Sequence, residues 1–282
     1  MSAIRIVTDS TADLGDRATS WDVAVIPMQV NFGDETYEDG VTIDSETFYA
    51  KLATTRQLPT TSQPSPEAIA SVYRSLIAEG AEGIVSIFIS SHLSGTYNTA
   101  TSVARMLREE GIETPIEVID SLEATLGMHA SIKAAVQAAR EGKGVEATAA
   151  AAREALNRTQ IFVIADDLHY LQRGGRIGAA QRVVGSLLNV KPIITLRDGV
   201  VTALENPRTR RRAYERVAEH VREMEPVELV IVGQSSPDLG DQLEAAVRQV
   251  YKGPIERIWA GPTIGTHIGP GASGIAVVRA KK

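Results

Sequence analysis

The sequence lacks cysteine and is poor in aromatic residues. None of its 282 residues is cysteine, which excludes disulfide bonds, thiolate catalysis and metal centres held by cysteine. Aromatic residues make up only 5% of the chain, although 43% of it is hydrophobic. The hydrophobic cores must therefore be built mainly from valine, isoleucine, leucine and alanine.

An excess of basic charge and long apolar runs are also missing. The formal net charge of -6 argues against a general nucleic-acid-binding protein, because such proteins need a basic surface. No apolar run approaches the roughly 18 residues that a membrane-spanning helix requires. The apolar stretch at residues 4–7 is too short for a secretory signal. We therefore expect a cytoplasmic protein with no membrane span and no nucleic-acid partner.

The usual motifs for nucleotides, serine nucleophiles and zinc are absent as well. No Gly-Lys-[Ser/Thr] sequence occurs, which excludes a Walker phosphate-binding loop. The serines near position 94 lack the Gly-x-Ser-x-Gly spacing of a nucleophile elbow. The histidines show no His-x-x-x-His spacing. We expect no metal and no cofactor.

The first half of the chain alternates strands and helices. Apolar runs at residues 4–8, 23–30, 84–89 and 116–119 predict strands, the second with a break at Pro27. Helical patterns begin at Ser65, Ser94 and Leu122, and both serines are predicted N-caps. This alternation predicts a parallel sheet with helices on both faces, and we assign residues 1–160 to an N-terminal α/β/α domain.

The second half has a different rhythm. Residues 190–196 and 200–204 flank Asp198-Gly199 and predict a hairpin. A helix at 208–223 follows, then strands at 227–232 and 255–259 around a helix near 239–251, and a last strand at 274–278. This order predicts a mixed sheet with helices on one side, so residues 161–282 form a C-terminal two-layer α/β domain.

Three uncharged segments, interpreted as loops, are rich in hydroxyl groups and glycine. Small neutral donors at strand ends and helix starts form a receptor for a carboxylate or a phosphate. In the first segment the prolines and a helix cap explain stiffness, but they do not explain Thr60, Thr61 and Ser62. Together the segments predict an anion-binding pocket. They are residues 59–66 (PTTSQPSP), 90–98 (SSHLSGTYN) and 265–271 (GTHIGPG).

The acidic residues after the first strand and two basic segments can each be interpreted as structural or as functional. Asp9 and Asp13 follow the first predicted strand, where a carboxylate can be catalytic, can ligate a metal or can cap the next turn. There are two basic segments, 173–176 and 208–212. The second lies at a predicted helix start and is a candidate for binding phosphate or an acidic partner, but a solvated helix face is favoured.

Seven stretches, in order along nearly the whole chain, resemble the DegV family of bacterial fatty-acid-binding proteins. No single stretch is decisive, but the ordered set is highly specific. They are IRIVTDSTADL at 4–14, VIPM at 25–28, PTTSQPS at 59–65, ISSHLSGTYN at 89–98, LQRGGRI at 171–177, LNVKPII at 188–194 and HIGPG at 267–271.

The resemblance implies a binding protein without catalysis of its own. It implies two α/β domains with a long-chain fatty acid held at their junction. A protonated His267 would keep the acid ionised. The residues implied around the carboxylate are Thr61, Ser94, Thr266 and His267, with Ser62, Gly95 and Asn98 as secondary contacts.

The resemblance also implies a partner. A separate ATP-binding subunit of a fatty acid kinase would phosphorylate the bound acid to an acyl-phosphate, which feeds phospholipid synthesis. Arg173, Arg176 and Arg208 are the candidates for contact with that subunit. Transient contact with a membrane surface stays open, and the composition favours a monomer.

Two other functions compete with this one. In the first, the protein is an enzyme that acts on a small carboxylated or phosphorylated metabolite, with Asp9, Ser94 and His267 as acid–base groups. In the second, it is a DNA-binding regulator, which the acidic balance and the lack of a helix-turn-helix pattern oppose. Neither the acyl-chain length nor the lining of the tunnel follows from the sequence.

Overall fold

The computed structural model describes residues 3–166, 168–181 and 190–281. Residues 188 and 189, the start of the sixth DegV-like stretch, lie outside them. The strands are β1 (Ile4–Asp9), β2 (Val23–Ile26), β3 (Gln29–Phe32), β4 (Glu35–Glu38), β5 (Thr60–Ser62), β6 (Gly83–Phe88), β7 (Ile116–Asp120), β8 (Thr159–Ile164), β9 (Ile193–Arg197), β10 (Val200–Glu205), β11 (Val227–Gln234), β12 (Ile255–Trp259) and β13 (Ser273–Arg279). The helices are α1 (Arg17–Trp21), α2 (Ser45–Thr54), α3 (Pro66–Ala78), α4 (Thr96–Glu109), α5 (Leu126–Arg140), α6 (Val145–Arg158), α7 (His169–Arg173), α8 (Arg210–Glu223), α9 (Pro237–Val247) and α10 (Pro262–Ile268).

The N-terminal sheet is parallel, as predicted, with strand order β2-β1-β6-β7. Helices α3 and α4 bury residues such as Tyr73 and Leu107 against one face, where they meet Val7 and Phe88. Helices α5 and α6 cover the other face with small and branched apolar side chains. The predicted α/β/α arrangement is confirmed, and it leaves the carboxyl ends of the strands open on one side.

The predicted strand at 23–30 is two strands. Pro27 and Met28 separate β2, which stays in the parallel sheet, from β3, which leaves it. β3 is the centre of a small antiparallel sheet of order β4-β3-β5. β5 contains Thr60, Thr61 and Ser62, so the first hydroxyl-rich segment is partly a strand and its interpretation as a loop was wrong.

The C-terminal sheet is mixed, with order β10-β9-β8-β13-β11-β12, and only the β11–β12 pair of this sheet is parallel. Asp198 and Gly199 connect β9 to β10 with φ of 49° and 78°, the left-handed pair that a tight hairpin turn requires. Helices α8 and α9 cover one face, which confirms the two-layer prediction.

The second face of the C-terminal sheet lies against α5 of the N-terminal part. Leu126 and Ala130 pack among apolar residues of β8, β11 and β13. Gly233 on β11 makes this approach close, because a Cβ there would lie 2.7 Å from Leu126. Strand β8 begins at Thr159, while the predicted division between residues 160 and 161 stays a prediction.

One of the three predicted helix starts is confirmed, and the other two lie later in the chain. Ser65 caps α3 as expected, its Oγ accepting from Ala68 N at 3.1 Å, with Pro66 in the first turn. Ser94 is not the N-cap of α4, because that helix begins at Thr96 after Gly95. Helix α5 begins at Leu126 rather than Leu122, since the preceding turn contains left-handed residues.

The third glycine-rich segment is largely helical. Residues 262–268 form α10, whereas we expected a loop over 265–271. The helix ends at Gly269, whose φ of 75° only glycine adopts readily. His267 therefore sits on a short helix rather than on a loop.

Candidate ligand-binding site

A cavity of about 130 Å³ lies between the two large sheets. On one side it is lined by residues that follow the carboxyl ends of the four parallel strands, where open α/β sheets usually bind ligands: Thr11, Met28, Ile89 and Ala124. On the other side it is lined by the C-terminal sheet.

The body of the cavity is apolar. The residues contributed by β8, β9 and β10 are Ile161, Val163, Ile194, Thr195, Leu196 and Val201. Alternate residues of a strand point to the same face, so the second face of the sheet presents a row of branched side chains. Such a surface suits a hydrocarbon chain and offers few partners to a polar molecule.

One end of the cavity is polar, and the predicted segments meet there. The site residues predicted from the sequence that line it are Thr61, Ser62, Ser94, Gly95 and His267. They come from β5, from the loop before α4 and from α10, which are far apart in sequence. The structure therefore brings most of the predicted site residues together.

His267 is the centre of the polar end. Its Nε2 lies 2.8 Å from Thr61 Oγ1, whereas its Nδ1 is buried and has no hydrogen-bond partner among the described residues. The ring lies against the backbone of Gly174, where a Cβ would be 2.3 Å from Nδ1. The imidazole is thus fixed between β5 and the end of α7.

Burial, and then the positive charge of Arg176, lower the pKa of His267 from 6.5 to about 4. The imidazole is therefore neutral near pH 7, which contradicts our expectation of a protonated ring. A neutral imidazole has one N–H donor and one acceptor, so it can orient a carboxylate without neutralising its charge.

Arg176 belongs to the cavity, although the sequence suggested only a contact with a partner. It lines the polar end, and its Nε donates to Leu93 O at 3.1 Å and its Nη1 to Gly174 O at 2.6 Å. These bonds tie the chain after α7 to the loop before α4. Arg173 and Arg208 are exposed, as a partner contact requires.

The model of the DegV family, described as uncharacterised proteins, matches residues 3–280. The chain belongs to the DegV family. It is similar to a DegV domain-containing protein of Halalkalibacterium halodurans, at 36% identity over 282 residues and 98% of both chains. It is also similar to one of Streptomyces coelicolor, at 35% identity over 280 residues, 97% of this chain and 98% of the relative.

Solved DegV structures have the same fold. A fatty-acid-binding DegV family protein from Thermus thermophilus is 31% identical, with a TM-score of 0.87 over 99% of both chains. A stearic acid-binding protein from Eubacterium ventriosum is 28% identical, with a TM-score of 0.88 over 98% of both chains.

In this DegV chain two predicted site residues lie away from the cavity. Thr266 is buried, and its hydroxyl donates to Pro262 O at 2.9 Å within α10. Asn98 is exposed on the first turn of α4. The residues of α10 that line the cavity are Thr263, Ile264, His267 and Ile268, so Thr266 lies on another side of this helix.

Gln63 is a cavity residue of this DegV chain that we did not predict. Its Nε2 donates to Thr99 Oγ1 at 2.7 Å, and its amide lies over Gly95, where a Cβ would be 2.0 Å from Oε1. Gly95 thus leaves room for an amide that covers the polar end.

Asp9 does not take part in the cavity. It is fully buried and accepts from Thr11 N at 2.9 Å and from Ile89 N at 3.0 Å. Burial raises its pKa, which these hydrogen bonds oppose. The competing metabolite enzyme would need Asp9 beside Ser94 and His267, and the DegV fold does not place it there.

Neither a membrane span nor a metal cluster is found in the part of the chain that the structure describes. No helix there is long and apolar enough to cross a bilayer. No group of three or more histidines and carboxylates there is arranged to hold a metal ion.

Proposed function

We propose that this protein binds a long-chain fatty acid in the cavity, with the acyl chain along the C-terminal sheet and the carboxylate at His267. The observation that carries the proposal is that one largely apolar cavity also holds a cluster of polar side chains around His267. The fatty-acid-binding relative from Thermus thermophilus and the stearic acid-binding relative from Eubacterium ventriosum, which share the fold over nearly their whole length, support it.

The polar side chains around His267 can offset the free-energy cost of removing a carboxylate from water. Removing an ionised carboxylate from water without hydrogen bonds is very unfavourable, so several donors must converge on it. The hydroxyls of Thr61 and Ser94 supply two donors, and the guanidinium of Arg176 supplies charge. Ser94 Oγ lies 2.8 Å from Thr96 Oγ1, and the Ser94 hydroxyl can donate to the ligand when Thr96 is the donor of this pair.

We further infer that the protein presents the carboxylate to a separate ATP-dependent kinase subunit in the cytoplasm. The chain carries no Walker loop, so the nucleotide would come from the partner. A carboxylate oxygen attacks the γ-phosphorus, the bond to the β-phosphate oxygen breaks, and ADP leaves from an acyl-phosphate. That product would enter phospholipid synthesis. Arg173 and Arg208 are the exposed cations that would meet the partner.

Native mass spectrometry of the purified protein, then of protein stripped of lipid and mixed with palmitate or oleate, tests the binding. We expect one fatty acid per chain, weaker binding in His267→Ala and Thr61→Val, and normal binding in the exposed control Asn98→Ala. A stripped protein that takes up neither acid would overturn the proposal.

The partner step has its own test. The charge reversal Arg173→Glu is expected to leave fatty-acid binding unchanged and to abolish acyl-phosphate formation by the kinase subunit. Normal acyl-phosphate formation by both Arg173→Glu and Arg208→Glu would remove these residues from the proposed contact.

A further inference from the structure

The carboxylates of Asp13 and Asp39 do not line the cavity and have no part in the proposed chemistry. Asp13 follows the short turn after β1, and Asp39 follows β4. Asp39 is buried, Asp13 is partly buried, and both line a second groove and not the cavity. The charge of Asp39 adds to burial in raising the pKa of Asp13 well above its usual range, and burial raises the pKa of Asp39 to about 6.

Both carboxylates bind the same element, the first turn of α10. Asp13 Oδ1 accepts from Gly261 N at 2.9 Å, and Asp39 Oδ2 accepts from Thr263 N at 3.2 Å. The N–H groups at the start of a helix have no partner inside the helix, so these two bonds satisfy donors that would otherwise be buried and unpaired. Gly261 is needed for the approach, since a Cβ there would lie 2.5 Å from Asp13 Oδ1.

Each carboxylate also holds a second, distant element. Asp13 Oδ2 accepts from Thr125 Oγ1 at 2.5 Å, just before α5, and Asp39 Oδ2 accepts from Ser10 Oγ at 2.9 Å, just after β1. The first turn of α10 is thereby fixed to the carboxyl end of the parallel sheet and to the start of α5. An ordinary helix cap would not require these further bonds.

Helix α10 transmits this constraint to the cavity. Thr263 and His267 are four residues apart, about one helical turn, so a shift of the first turn moves the imidazole with it. The helix has little room to adjust, because a Cβ at Gly265 would lie 2.5 Å from Phe48 and 2.9 Å from Tyr49.

We propose that Asp13 and Asp39 are positioning residues that set His267 against Thr61 by holding the first turn of α10. The inference rests on the proposed function, because its consequence is measured as fatty-acid affinity.

A double-mutant cycle on fatty-acid affinity tests the inference. The dissociation constant for palmitate is measured for Asp13→Ala and Asp39→Ala, in the native background and in the His267→Ala background. We expect each to weaken binding about tenfold in the native background and to change it little when His267 is absent. Asp13→Asn should retain most of the affinity, because its amide oxygen can still accept from Gly261 N.

The control is Asp44→Ala, which removes an exposed carboxylate that caps α2 by accepting from Thr47 N at 2.8 Å. It should lower stability and leave palmitate affinity unchanged. If Asp13→Ala does not fold, Gly261→Ala breaks the same contact from the other side and should show the same dependence on His267.

Failure of fatty-acid binding and failure of the positioning role give different results. A native protein that does not bind palmitate removes the proposed function. A native protein that binds, while the aspartate variants lose equal affinity with and without His267 or lose none, overturns the positioning role.

Discussion

The low pKa of His267 makes the stability of the fold depend on pH in a way that one variant isolates. Its pKa is about 4 in the folded protein and 6.5 in the unfolded chain, because the imidazole is buried and lies near Arg176. Between these two values the unfolded state binds a proton that the folded state does not bind. Stability is therefore lost as the pH falls from 6.5 towards 4.

The size of the effect follows from the two pKa values. Each pH unit between them costs about 1.4 kcal/mol, so the free energy of unfolding falls by about 3 kcal/mol on account of His267. The variant His267→Gln keeps an amide donor and acceptor at the site but does not titrate. The difference in unfolding free energy between the native protein and this variant should therefore change by about 3 kcal/mol between about pH 7.5 and about pH 4.

Urea unfolding of lipid-free protein at a series of pH values measures this difference. Other titrating groups contribute equally to both proteins and cancel in the subtraction. One example is Glu256, whose pKa is lowered to about 2 chiefly by His129, whose Nε2 lies 3.5 Å from Glu256 Oε2. A difference that stays constant within about 1 kcal/mol over the whole range would refute the neutral, buried imidazole.

Two glycine substitutions test contacts at the polar end. Gly95→Ala would push its Cβ into the amide of Gln63, so we expect the fatty acid to dissociate about fivefold faster in stopped-flow mixing. In a Gln63→Ala background the same substitution should have no effect, and equal acceleration in both backgrounds would contradict this contact. Gly174→Ala would displace the ring of His267 and should weaken equilibrium binding of palmitate about tenfold. The control Gly144→Ala, with nothing within 4 Å of its Cβ, should leave binding unchanged, and equal effects of the two substitutions would exclude the contact with the ring.

The parts of the fold that depend on neighbouring residues in the sequence, such as helix starts and tight turns, were predicted correctly where the local signal was strong. Ser65 and Pro66 mark the start of α3 because an N-cap hydroxyl and a fixed φ act within one turn. Asp198 and Gly199 mark the hairpin for a similar reason. Unbroken apolar runs likewise predicted the buried parallel strands.

Helix α10 could not be predicted in this way. Its glycine and threonine content is typical of a loop, and the helix depends on contacts from elsewhere in the chain. Phe48 packs against Gly265, and Asp13 and Asp39 satisfy the first turn. Arg176 was assigned to a partner contact for the same reason, since only the path of the chain after α7 brings its guanidinium into the cavity.

The hydrogen bond between His267 and Thr61 also bears on how the site would hold a carboxylate. The ring is neutral, so either Nε2 donates to Thr61 Oγ1 or the hydroxyl donates to Nε2. In the first case the O–H of Thr61 is free to donate to the ligand. In the second case the O–H of Thr61 is used within the protein, and Nδ1 carries a buried N–H with no partner among the described residues. The first arrangement leaves only a lone pair on Nδ1 beside Gly174 and adds a donor where the carboxylate needs one, so the proposed function favours a proton on Nε2.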